Sequence, residues 1–299
     1  MEQGTVIRSI SGFYDVYSGT GVTRCRARGK LRQGAISPLV GDHVEFEKSG
    51  PDAGYLINIL DRKNSFIRPA VANIDLLVMM AAEVNPITDP FLIDRIGVIA
   101  AARGVETLLV LTKSDLKRPD TLLSIYEHTG IPVLVTSAVT GEGMDRLHEA
   151  VAGKCSAFTG NSGIGKSTML NRLFPGANIP TGEVSEKLGR GRHTTRHVEL
   201  YTLPDGTMIM DTPGFSSFDI GMMELCEPKE LAGLFTDFLP YIDSCRFDDC
   251  AHIKEDGCAL CEALARGKIQ KSRHDSYVRL YHQLKEVNPW EVKRERKKS

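Results

Sequence analysis

Two hundred and ninety-nine residues, 41% of them apolar, suffice for about two domains of ~150 residues, each with its own core. The 28 Gly and 14 Pro are scattered, and no apolar run approaches the ~18 residues a bilayer helix needs, which excludes collagen-like, low-complexity and membrane-spanning chains. The formal charge of −1 hides a division: residues 1–34 carry +4 and residues 266–299 carry +7, leaving −12 on the middle, as expected if both ends approach a polyanion.

The first stretch, MEQGTVIRSISGFY, lacks the charged start and apolar run of a secretion signal, so a cytoplasmic location with reduced cysteines is expected. From Thr5 to Asp61, short β-type runs alternate with Gly-rich turns (GTVIRSISGFYDVY, GTGVTRCRARGKL, LVGDHVEFE, GYLINIL), which predicts a small antiparallel barrel. Within it Arg24, Arg26 and Arg28 alternate with Cys25 and Ala27, so a strand places the three guanidiniums on one face, suited to tracking a phosphate backbone.

From about Asn64, apolar runs alternate with helical stretches. IDLLVMMA, VETLLVL, IPVLVTSA, KCSAFTG, RHVELYTL and GTMIMDTPG read as strands, with helices such as Pro90–Arg103 and Asp120–Thr129 between them. Continuous apolar strands of this kind belong to a sheet covered by helices on both faces. After Phe218 the pattern turns helical, with a Cys-rich insert and the polar tail EVKRERKKS.

Four short motifs fall at the ends of these strands, where α/β proteins bind ligands. Thr112-Lys113-Ser114-Asp115 comes after VETLLVL and suits guanine: the Asp accepts from the base N1–H and exocyclic amine, and the Lys stem packs on the ring. Thr136-Ser137-Ala138 comes after IPVLV and offers a backbone amide to the base oxygen. Gly160-Asn161-Ser162-Gly163-Ile164-Gly165-Lys166-Ser167, with Thr168 next, is GxxxxGK[ST] between a strand and a helix, a loop whose N–H groups wrap phosphates. There Lys166 neutralises the β- and γ-phosphates and Ser167 ligates Mg²⁺. Asp211-Thr212-Pro213-Gly214 ends TMIM, placing Asp211 for the Mg²⁺ shell and the Gly214 N–H for the γ-phosphate. Between them lies Gly189-Arg190-Gly191-Arg192-His193-Thr194-Thr195, suited to ordering on a γ-phosphate through either Thr194 or Thr195.

The order of these motifs is unusual. GTPases run phosphate loop, switch Thr, DxxG, [NT]KxD and SA, whereas this chain runs TKSD, TSA, phosphate loop, Thr, DTPG; it is circularly permuted. Permutation preserves the site and moves the chain exit to just after DTPG, so the segment beyond Phe218 hangs on the nucleotide-sensing switch.

In the tail, Cys245-x₄-Cys250-x-His252-x₅-Cys258 offers three thiolates and an imidazole, a closed set for one structural Zn²⁺, with Cys261 in reach as a competing fourth ligand.

The permuted order, the preceding barrel with its Gly41-Asp42-His43-Val44 turn and the C-terminal Cys-x₄-Cys-x-His-x₅-Cys insert together resemble one family from Gly4 to Tyr281, the bacterial small-subunit-dependent GTPases called RsgA or YjeQ. The resemblance implies an OB-fold RNA-binding barrel (1–63), a circularly permuted α/β P-loop GTPase domain (64–220), and a mainly helical zinc-binding domain with a basic tail (221–299). It also implies late maturation of the 30S subunit, contact with 16S rRNA, and GTP hydrolysis to GDP and phosphate stimulated by that subunit. Two departures from most GTPases stand out. Thr112 replaces an Asn that braces the phosphate loop, which predicts modest guanine affinity, and Phe215 replaces a water-orienting Gln, which predicts slow intrinsic hydrolysis. The family-like GRHTT stretch makes His193 the candidate for positioning water. No dimerisation signature is visible, so a monomer is expected. The rival readings are an RNA-binding chaperone with a structural nucleotide, which predicts no stimulation by 30S, and a metabolic phosphotransferase or ATPase, which predicts ATP preference.

Overall fold

A computed structural model of the chain describes residues 1–29, 31, 37–66, 69–175, 198–212 and 226–286. Strands β1 (Glu2–Ile10), β2 (Phe13–Tyr17), β3 (Val22–Ala27), β4 (His43–Lys48) and β5 (Ala53–Ile59) run in the order β1-β2-β3-β5-β4, and β4 returns to β1 to close the barrel. Period-two alternation sends Val6, Val16, Cys25, Val44, Phe46 and Leu56 inward, where all are buried. The barrel is not wholly antiparallel as expected. Because β4 must lie between β5 and β1 to close it, β5 falls beside β3 and pairs with it in parallel.

Arg24 and Arg26 of β3 and Arg28 just beyond it differ from expectation too. Arg24 and Arg26 alternate with buried Cys25 on the outer face, but Arg24 is held by Asp15 at 2.8 Å and Arg28 by Glu47 at 3.1 Å. Arg26 instead lies 4.5 Å from the centre of the Phe13 ring.

A small hairpin, β6 (Ser65–Phe66) and β7 (Val71–Ala72), leads into the central sheet. There β8 (Leu76–Ala81), β9 (Glu106–Leu111), β10 (Val133–Val135), β11 (Cys155–Gly160) and β13 (Met208–Asp211) are parallel, in the order β10-β9-β8-β11-β13, with β12 (Glu199–Thr202) antiparallel at the edge. Every residue of central β8 is buried, as a strand covered on both faces requires. Helices α1 (Pro90–Ala102) and α2 (Asp120–Tyr126) cover one face, and α3 (Met144–Val151) and α4 (Lys166–Leu173) the other. Asp89 caps α1 by accepting from the Phe91 N–H at 2.9 Å, with Pro90 preset for the first turn.

The sequence offered no sign of how barrel and sheet join. Edge strand β12 pairs antiparallel with β1, Arg8 opposite Glu199, so the two sheets form one of eleven strands. The turn at Gly41 also docks on the central domain. Gly41 has φ +93°, and a Cβ there would stand 2.1 Å from the Ala72 carbonyl oxygen, so no other residue fits. Next to it, fully buried Asp42 takes two hydrogen bonds from Arg62, at 2.7 and 2.8 Å, and one from the Leu39 N–H at 2.7 Å.

The C-terminal part comprises a 3₁₀ helix (Pro228–Leu234), α5 (Leu239–Ile242), α6 (Ala259–Ala265) and α7 (Lys271–Glu286), which lies along α1. Arg273 of α7 is buried against the central domain. It bonds Asp94 of α1 at 2.5 Å and Asp237 at 2.6 Å, and Tyr126 donates to the same Asp94 oxygen at 2.7 Å. Among the described residues no helix is long and apolar enough to cross a membrane.

Candidate nucleotide site and metal cluster

The phosphate loop connects β11 to α4, and Gly165, at φ +98°, turns the chain into the helix. Lys166 and Ser167 thus form the first turn of α4, where free N–H groups and the helix dipole favour an anion. Lys166 is partly exposed, and its ammonium lies 2.6 Å from Asp211 at the end of β13 while donating also to the Thr212 carbonyl. Loop lysine and switch carboxylate, 45 positions apart in sequence, therefore meet at one point, a juxtaposition the motifs required but could not show.

The two base-recognition loops are joined as well. Ser137, fully buried at the end of β10, donates to one oxygen of Asp115 at 2.6 Å, and its own oxygen accepts from the N–H groups of Val139 and Thr140 at 3.2 and 3.1 Å. Ser114 donates to Glu142 at 2.6 Å, which ties the TKSD loop to the turn beyond Ala138. Thr112 is buried and bonded through its N–H to Ala81. The brace that an Asn would supply there comes from the neighbouring residue. The Lys113 ammonium donates to the Gly163 carbonyl in the phosphate loop at 3.0 Å and to the Asn85 carbonyl at 2.7 Å. Ile164 anchors the loop in the core, Asn161 leans on the Ile87 carbonyl at 3.5 Å, and Ser162 and Thr168 are exposed. Gly214, His193, Thr194 and Thr195 lie outside the described residues.

The donor set fits Mg²⁺: a hydroxyl on Ser167 and a carboxylate on Asp211 are hard oxygen ligands, and Asp211 is already presented to a cation, the Lys166 ammonium.

In the C-terminal part, the ligand atoms of Cys245, Cys250, His252 and Cys258 all lie within 4.8 Å of one another. His252 Nδ1 stands 3.4 Å from Cys245 Sγ and 3.6 Å from Cys258 Sγ, and the two sulfurs are 3.8 Å apart. A tetrahedron with arms of ~2.0–2.3 Å has edges of roughly 3.5–3.8 Å, so these spacings suit Zn²⁺. Burial pushes the Cys250 thiol up to about 12 and the Cys258 thiol up to about 11. Ionising them together at neutral pH takes a cation at their centre. Cys261 stands outside the set and supports it, its N–H pointing at Cys258 Sγ at 3.4 Å. The His252 carbonyl accepts from His274 of α7 at 2.8 Å, and Tyr277 donates to the Ala251 carbonyl at 2.8 Å, so α7 fixes the ligand loop.

The chain is similar to known proteins along nearly its whole length. The family model described as RsgA GTPase matches residues 59–221, and that described as RsgA N-terminal domain matches residues 3–56. Small ribosomal subunit biogenesis GTPase RsgA of Limosilactobacillus fermentum is 42% identical over 291 residues, covering 95% of this chain and 97% of that one. The protein of the same name from Caldanaerobacter subterraneus subsp. tengcongensis is 40% identical, covering 95% and 96%. Among solved structures, YjeQ from Thermotoga maritima superimposes with a TM-score of 0.80 at 32% identity, covering 96% of this chain and 99% of that one. YloQ, described as a circularly permuted GTPase, gives 0.76 at 32%, covering 97% and 96%. On these matches the chain, with its phosphate loop placed after its base-recognition loops and between a closed barrel and a Cys₃His cluster, belongs to the RsgA GTPase family and is a GTP hydrolase.

Proposed function

We propose that this chain acts on the small ribosomal subunit late in its maturation, hydrolysing GTP to GDP and phosphate at a rate raised by the 30S particle. The observation that carries this reading is the single edge of the central sheet where Lys166 meets Asp211 and Ser137 meets Asp115, in a chain 40% identical to proteins named for small-subunit biogenesis.

At that edge each residue has a role. Asp115 and the Lys113 stem read the guanine, Ser114 and Ser137 hold Asp115 and its loop in place, and the Ala138 amide meets the base oxygen. The loop from Gly160 to Thr168 wraps the phosphates with backbone N–H groups. Lys166, released from Asp211 when nucleotide arrives, neutralises the β- and γ-phosphates. Ser167 and Asp211 hold Mg²⁺, which supplies charge neutralisation for the phosphoryl transfer. Gly214, with Thr194 or Thr195, grips the γ-phosphate, and His193 orients the water that attacks phosphorus as the bond to GDP breaks. Chemistry here is mostly positioning and charge compensation. Cys245, Cys250, His252 and Cys258 hold one Zn²⁺ that maintains the C-terminal fold. The barrel, 1–63, and the module of 221–299 contact 16S rRNA, and the protein works as a cytoplasmic monomer.

The test is GTP hydrolysis by the purified protein alone and with 30S subunits, 50S subunits or naked rRNA at fixed salt. Stimulation by 30S alone is expected. Binding of 30S without stimulation would favour an RNA chaperone instead. Lys166→Ala is expected to weaken GTP binding roughly 100-fold, as loss of a charge-assisted contact of ~3 kcal/mol implies. Retained turnover in that variant would overturn the site.

A further inference from the structure

Five side chains stand in one row across five neighbouring strands. Arg24 on β3 is opposite Asp15 on β2, Asp15 opposite Arg8 on β1, Arg8 opposite Glu199 on β12, and Glu199 opposite Asp211 on β13. Directly opposed residues project from the same side of a sheet. The contacts agree with this register: Arg24 holds Asp15 at 2.8 and 3.1 Å, and Arg8 reaches one Glu199 oxygen at 3.2 Å. Tyr201 donates to the other Glu199 oxygen at 3.0 Å. Charge therefore alternates along the row until Glu199 meets Asp211, where two carboxylates stand opposed. Like charges so placed repel. Arg8 relieves the pair from the barrel side, and Lys166 from the phosphate loop, 2.6 Å from Asp211.

We propose that Glu199 is a positioning residue of the GTPase site, whose charge, under the control of Arg8 in the barrel, sets how strongly Asp211 holds a divalent cation. This rests on the reading that Asp211 faces Mg²⁺ beside bound nucleotide. Once phosphates draw Lys166 away, Asp211 and Glu199 face each other with Arg8 as the compensating cation among the described residues, and their joint field attracts the divalent cation. Glu199 touches no reacting atom and acts through Asp211. Arg8 is 45% exposed on the outer face of the barrel. An anionic partner that takes its guanidinium frees the charge of Glu199 and strengthens the field at Asp211. Contact on the barrel is thereby transmitted to the nucleotide site along a row in which Asp211 alone belongs to a nucleotide motif.

The test measures release of a fluorescent GDP analogue from the full-length protein over a series of Mg²⁺ concentrations. Glu199→Gln removes a negative charge, so the Mg²⁺ needed for half-maximal retention should rise about two- to fivefold. Arg8→Ala removes a positive one, so the requirement should fall by a similar factor, and Arg8→Lys should restore the wild-type value. The opposed signs distinguish this from a structural role, because loss of an ion pair as mere support moves both variants in the same direction. Unfolding midpoints of the nucleotide-free proteins verify that each variant is folded. Shifts of the same sign, or none, in a protein whose wild type responds to Mg²⁺ overturn the proposal. Wild-type release indifferent to Mg²⁺ would instead remove the assignment of Asp211 to the cation, and this inference with it.

Discussion

The barrel and the Cys₃His module both dock on the central domain, at different places and through different chemistry. The barrel adds β1 to the free edge of β12 where Arg8 stands opposite Glu199, and a partly exposed ion pair spans that contact. The module buries a charge instead. Arg273 is 3% exposed between Asp94 and Asp237, with its guanidinium 4.7 Å from the Phe235 ring. Burial pushes the Asp94 carboxyl up, against the pull of Arg273. A buried network of this kind has few alternative arrangements, because parting its members leaves charges without solvent. The module is also fixed to α1, on the sheet face opposite α4 and the phosphate loop. The barrel, by contrast, rests on the strands that end at the site. On the coupling proposed above, the two ends have different tasks: the module is a fixed part of the GTPase body, and the barrel exchanges signals with the nucleotide site. The sequence-based expectation that the segment beyond Phe218 hangs on the switch therefore needs amending, since α7 provides a second and buried attachment.

Metal removal should have the largest effect. Structural Zn²⁺ contributes on the order of 10 kcal/mol to small domains built around it, so Cys258→Ala or a strong chelator should unfold the module. Zinc release measured with a colorimetric chelator, together with loss of helical circular dichroism, would show this. Binding of guanine nucleotide should survive, since the nucleotide contacts come from the central sheet. If nucleotide binding were lost in step with the metal, the module could not be regarded as a passenger on α1.

Arg273→Ala should cost about 3–5 kcal/mol in urea unfolding, because it strands Asp94 and Asp237 in the interior. Replacing Arg273, Asp94 and Asp237 together by Met, Leu and Leu should recover most of that loss. A triple variant as unstable as the single one would show that the junction depends on these charges rather than on its packed aromatic surroundings.

Much of this architecture was legible in the sequence because it is encoded locally. The β-strands, the phosphate loop, TKSD, TSA and the Cys₃His spacing each need only a few consecutive residues, and the permuted order emerges from reading them in turn. The junctions were not legible. Arg8 and Glu199 lie 191 positions apart, Asp94 and Arg273 lie 179 apart, and each looks like an ordinary surface charge until the strands and helices are assembled. The pairing of Arg24 and Arg28 with carboxylates was hidden for the same reason: alternation along one strand reveals a shared face and says nothing of the residues that the neighbouring strand sets opposite it.

The barrel junction has a buried anchor of its own, and it separates the two modes of attachment on a smaller scale. Arg62→Ala leaves fully buried Asp42 with the Leu39 N–H as the one remaining partner of its carboxylate among the described residues, and should cost about 2–3 kcal/mol. It should also loosen the Gly41 turn from Ala72, detectable as faster amide hydrogen exchange at that turn.

Arg8→Ala should have the smallest effect on stability. The pair is 45% and 34% exposed at its two ends, and a solvated ion pair contributes at most ~1 kcal/mol. Unfolding should shift by no more than that, and ~0.5 M salt should abolish the difference through screening, whereas the Arg62→Ala deficit should persist. A large, salt-insensitive loss would show that Arg8 is a fastening like Arg273, and the barrel would then be as rigidly fixed as the module. A small, salt-sensitive one leaves Arg8 free to exchange Glu199 for another anion, as a side chain that carries a signal between barrel and site must be.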